Sequence, residues 1–104
     1  MKDLKLLNKN QEEDLLFWAM QNVIEDLPII YTGFGLDYEE VDILLENLYD
    51  DLKTNDYLEI MNDAISLARI VRQDLITNKI DLTVMKDLLE GLLTIIEIST
   101  KRCK

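Results

Sequence analysis

Glu39, Asp42, Glu46 and Asp50 follow one another at spacings of three, four and four residues. On an α-helix that spacing gathers their carboxylates into one stripe, which extends about 16 Å at 1.5 Å per residue. Like charges one turn apart repel by a few tenths of a kcal/mol per pair, so helix formation gives no reason for the arrangement. A rigid rod with a carboxylate on every turn coarsely imitates a phosphate backbone. A Lys/Arg groove made for nucleic acid would accept it, with electrostatic steering of the encounter. The same negative field opposes direct binding of DNA or RNA. The plain alternative is a solvated face that aids solubility.

The stripe belongs to a larger block. From Glu12 to Asp63 fifteen carboxylates stand against a single base, Lys53, so this block carries −14 and the remaining residues +4 of the net −10. Several apolar side chains accompany it in unexpected places. On the helical wheel Trp18 lies opposite the apolar face of its helix, and Ile43 sits inside the stripe. Trp is enriched among binding hot spots, so Trp18 is a candidate anchor, with Leu4, Leu6 and Leu7 as its candidate intramolecular cover. The segment Pro28 to Gly35 (PIIYTGFG) offers Tyr31 and Phe34; it reads as an apolar loop that either closes the end of the fold or meets a partner. Ile98 near Gly91 marks a close helix approach, within the chain or across a homodimer. Arg72 falls in an apolar arc, where an arginine snorkels to water or pairs with a carboxylate.

Catalytic chemistry has little to work with. The chain lacks histidine, which removes Ser-His and Cys-His nucleophiles, His-ligated zinc and Glu-x-x-His di-iron sites. Its one cysteine, Cys103, excludes Cys-rich zinc and CxxC centres, and no phosphate-binding glycine loop is present. Between Tyr38 and Val71 the chain resembles the all-helical nucleotide pyrophosphohydrolases of the MazG type. Those hold Mg²⁺ with Glu-x-x-Glu on one helix and Glu-x-x-Asp on the next. Glu39 and Asp42 match the first pair as Glu-x-x-Asp, and Asp63 matches the last position, but Ile60 stands where the remaining acid belongs. The resemblance implies Mg²⁺-dependent nucleotide hydrolysis from an incomplete ligand set. The residues favour a protein that is not an enzyme and has neither metal nor cofactor.

The elements that position these residues are helical. Leu and Ile dominate the apolar residues, with three Gly and one Pro. Such a composition predicts an all-α fold, one compact domain of about four mostly antiparallel helices. Apolar spacing and caps place them at residues 10–27, 37–53, 56–76 and 82–102. The first opens at Asn10 and ends before Pro28. The second opens at Asp37, with Val41, Leu44, Leu45, Leu48, Tyr49 and Leu52 inward. The third, from Asp56, has an apolar arc of about half its circumference, which predicts packing on two sides. Lys101, Arg102 and Lys104 complement the C-terminal dipole of the fourth.

No apolar run approaches the roughly 20 residues of a membrane span. The start of the chain lacks the apolar stretch of a signal peptide, and a lone cysteine suits a reducing compartment. The expectation is a cytoplasmic protein that inhibits or modulates a protein partner with a basic, nucleic-acid-binding surface. The Asp/Asn/Ile/Lys-rich composition suits a phage or mobile-element factor of the anti-CRISPR or anti-restriction kind. A bacteriocin-immunity or antitoxin bundle is the alternative; small helical immunity proteins are similar in size and architecture, and the turn Thr77-Asn78-Lys79-Ile80 would suit one.

Overall fold

The computed structural model describes residues 8–103, and Leu4, Leu6, Leu7 and Lys104 lie outside the described residues. Four α-helices follow in order: α1 (Lys9–Gly33), α2 (Glu39–Thr54), α3 (Tyr57–Thr77) and α4 (Lys86–Arg102), the last preceded by a 3₁₀ turn, Leu82–Met85. The described residues contain no strand. The all-α expectation holds.

Helix α1 corrects the sequence reading at both ends. It starts two residues early, because Asn8 accepts from the Gln11 backbone N–H while the Gln11 side chain accepts from that of Asn8, a reciprocal capping box. It also runs through Pro28 to Gly33, so residues 28–33 of the expected loop are helix. Pro28 removes one backbone donor. Against that loss, Leu27 and Tyr31, one turn apart on the line that begins at Leu16, are both fully buried. Two large side chains contribute on the order of 2–3 kcal/mol each on burial, which outweighs the local preference.

Three connections share one C-terminal geometry. Gly35, Asn55 and Lys79 adopt left-handed backbone at φ 65, 57 and 54. In each, that residue's N–H reaches the carbonyl three residues back, and the next N–H the carbonyl five back: Leu36 to Tyr31, Asp56 to Asp51 and Ile80 to Leu75. These are Schellman closures. Gly35 and Asn55 suit the conformation, whereas Lys79 adopts it with the buried Ile80 as the apolar contact beyond the turn. At the other ends, Asp56 caps α3 by accepting from the Glu59 N–H. Asp37 instead accepts from the Glu39 N–H and α2 begins at Glu39.

The neighbours are antiparallel. α1 packs on α4, α4 on α3 and α3 on α2, while α1 and α2 barely touch. Helix α4 is therefore central, and its buried arc is wide enough to include Ile98. A Cβ on Gly91 would lie 3.0 Å from the Ala19 carbonyl oxygen and 3.2 Å from Val23 Cγ2. The close approach at Gly91 is thus between α1 and α4 of one chain. At the opposite end of α4 Glu12, buried, receives Lys101 at 2.6 Å and Arg102 at 3.6 Å. These cations, the Lys101 hydrogen bond first, hold its carboxyl below the usual range despite its burial. Arg102 also donates to the Tyr57 hydroxyl and the Lys9 carbonyl, so one guanidinium ties α1, α3 and α4 together.

Candidate protein-binding face

Because α1 and α2 diverge, the space between them is open. One part, about 260 Å³, lies among Leu16, Phe17, Met20, Tyr49, Leu52 and Tyr57, with Glu13, Lys53 and Arg102 at its edge. The adjoining part, about 510 Å³, is walled by Ile24 and Gln21 of α1 and by Leu45, Tyr49, Glu46 and Asp50 of α2. Ile24, Gln21 and Tyr49 border both parts, so they form one cleft. Phe17 and Tyr49 stand in it 67% and 46% exposed. Tyr49, expected inward, is half outside because no helix covers that flank of α2. The Lys53 ammonium lies 4.4 Å from its ring centroid, a cation–π contact.

The carboxylate stripe borders this cleft. Glu39, Glu46 and Asp50 are exposed and Asp42 is half-buried. Glu46 and Asp50 form the α2 rim, and Ile43, 55% exposed, lies on the far side of the stripe. The field of the stripe reaches Tyr38, whose hydroxyl is pushed up in pKa by burial first and then by the charges of Asp42 and Glu46. One edge of the cleft is therefore acidic, while Lys53 and Arg102 mark the other end.

The remaining sequence-derived residues divide. Trp18 is 48% exposed and Phe34 50%, both open to solvent, but neither borders the cleft. Tyr31 is corrected: it is fully buried, its hydroxyl donates to Asp74 at 2.5 Å, and its ring centroid lies 6.0 Å from that of Tyr38. It is a core residue because the helix continues to Gly33 and turns that position inward. Arg72 is exposed at the edge of an apolar groove, as a snorkelling arginine should be.

A second acidic constellation was not legible in the sequence. Asp51, Glu59 and Asp63 bring carboxylate oxygens within 4.8 Å of one another, because antiparallel α2 and α3 set their facing turns side by side. Three carboxylates could supply part of the oxygen shell of a hard divalent cation. The MazG-like arrangement is a different one. Asp42 lies nine residues from Asp51, about 13 Å along α2, so Asp63 meets Asp51 and Glu59 and not the Glu39/Asp42 pair.

A hydrogen bond shared with Asp63, then burial and the Asp63 charge, raise the Asp51 carboxyl to about 6. A carboxyl raised in the folded state contributes stability that is complete below its unfolded pKa, near 4, and is lost as pH rises through 6. Asp51→Asn is expected to raise stability at pH 7 by on the order of 1 kcal/mol, allowing for solvent at the edge of the pair. It should also flatten the urea midpoint against pH between 4 and 7. A variant whose midpoint follows the parent's through that window would show that the two carboxyls do not share a proton.

Comparison of the chain with family models, with curated proteins and with solved structures returns no match.

Proposed function

We propose that the protein is a non-catalytic binding protein that inhibits or modulates its partner by occupying a basic, nucleic-acid-binding surface. What carries this reading is the α2 face: four carboxylates in line, with Ile43 on one side and the open α1/α2 cleft on the other. The stripe alone would be a weak imitation of nucleic acid. It offers a charge about every 5 Å along the helix, against one per 1.7 Å for duplex DNA. Charge can then steer and orient the encounter, while apolar contact at Ile43, Tyr49 and Phe17 supplies most of the affinity. In that mode the protein acts as a partial nucleic-acid mimic of the anti-CRISPR or anti-restriction kind.

The test is capture of nucleic-acid-binding proteins from a host lysate on the immobilised protein, at low and high salt, with duplex DNA as competitor. The parent should retain a partner that added salt and duplex DNA both displace. Glu39→Gln/Asp42→Asn/Glu46→Gln/Asp50→Asn should weaken capture roughly ten- to a hundred-fold and flatten its salt dependence. Capture indifferent to the four changes and to salt would overturn the electrostatic mechanism.

A further inference from the structure

We propose that the outer groove between α3 and α4 binds a second copy of this chain, the two copies being related by a two-fold axis parallel to the helices. The groove, about 430 Å³, is apolar along its floor, through Ile65, Leu75 and Ile96. Its rims hold Ile76, Leu82 and Leu93, which are 65%, 61% and 51% exposed. Apolar area of a few hundred Å² in one place is the scale at which a surface patch marks an interaction site. The two sides on which the sequence predicts α3 to pack are taken by α2 and α4; the groove lies outside those contacts, where Arg69, Arg72 and Ile76 reach the surface.

Charge selects the occupant. Residues 64–104 hold seven bases and five acids, whereas residues 1–63 hold four bases and sixteen acids. Two molecules of net charge −10 can therefore meet at α3 and α4 with least repulsion. The rims are also of opposite sign. Arg69 and Arg72 border the groove on the α3 side. On α4, Glu90 and Glu97 stand three residues before and four after Leu93, on the same face as Lys86, and all three are exposed, which leaves that rim at −1. Among the described residues none of Arg69, Arg72, Glu90 and Glu97 makes an ion pair.

The register completes the argument. Tyr57 meets Arg102 and Met61 meets Thr100, so the antiparallel pair places Glu90 level with Ile70, between Arg69 and Arg72. A two-fold axis parallel to the helices lays α3 of one copy over α4 of the other at equal height. Glu90 of each copy then faces Arg69 and Arg72 of the other, twice, around a shared apolar centre. A perpendicular axis in the interface plane would set α3 on α3 and arginine on arginine. The contact is isologous and closes at two copies.

Sedimentation equilibrium on the whole protein at physiological salt and up to about 100 µM, enough to populate a dimer of micromolar Kd, decides the matter. The parent should reach twice the chain mass. Leu93→Asp alters an exposed residue, so the fold should survive, as an unchanged urea midpoint at monomeric dilution would verify; this variant should remain a monomer. Glu90→Arg should raise the dimer Kd at least tenfold, and adding Arg69→Glu and Arg72→Glu should restore it. A monomeric parent, or a dimer indifferent to either Leu93→Asp or Glu90→Arg, overturns the proposal.

Discussion

Tyr31→Ala is expected to cost about 3–5 kcal/mol of folding stability, the range for deleting a buried aromatic ring. For a chain of this size that is roughly a fifth or more of the total, so the variant should unfold at much lower urea. Tyr31 has no exposed surface, and its hydroxyl donates to Asp74. Burial, with the Asp74 hydrogen bond and charge, pushes the phenol well above its ordinary pKa, so it stays a donor throughout the accessible pH range. Tyr31→Phe keeps the ring and removes the donor. Asp74 is only half-buried and can turn to water, which sets that cost at about 1–2 kcal/mol. Urea titration of the two variants separates ring from hydroxyl. A Tyr31→Ala loss below about 1 kcal/mol would mean that the ring is not part of the core. Tyr31→Phe should leave partner capture unchanged, because the side chain lies beneath the surface.

How far the sequence was legible follows physical lines. Helical periodicity depends only on order along the chain, so helices α2, α3 and α4 could be read, with most of their inward residues, such as Val41, Leu45 and Leu48. So could the outward placement of Trp18 and Ile43, since a wheel separates wet from dry faces whichever neighbour supplies the dryness. Helix α1 was cut short because the rule about Pro28 is local, whereas the burial of Leu27 and Tyr31 that overrides it is tertiary. The signal was present: Leu16, Met20, Val23, Leu27 and Tyr31 keep helical spacing straight through the proline.

What depends on which helices are neighbours was not legible. The wheel turns Tyr49 toward the core, yet the structure leaves it half exposed because α1 packs on α4 and not on α2. The meeting of Asp51 with Asp63 depends on the register of α2 against α3, which no single helix encodes. The candidate face was thus half readable. Its stripe of charge lies in one segment, whereas the apolar cleft beside it is made by two helices failing to meet.

The position of α1 rests on Gly91, and Gly91→Val is expected to cost about 3 kcal/mol, at the upper end of the range for overpacking. Glycine within α4 is unfavourable for the helix itself, so Gly91→Ala would gain up to about 1 kcal/mol were the site open. It is not open. The new Cβ would lie 3.0 Å from the Ala19 carbonyl oxygen, a backbone atom, and 3.2 Å from Val23 Cγ2 on a side chain with no exposed surface. Neither can yield without moving α1, so Gly91→Ala should lose about 1 kcal/mol in spite of its propensity, and the branched valine more. Because α4 is the helix on which α1 packs, the displacement changes the width of the α1/α2 cleft as well as stability. Urea midpoints should therefore fall in the order parent, Gly91→Ala, Gly91→Val, and partner capture by the folded Gly91→Ala protein should weaken while its salt dependence, set by the untouched α2 carboxylates, stays the same. A Gly91→Ala protein more stable than the parent would show that helix propensity outweighs the contact, and that α1 can part from α4 without cost.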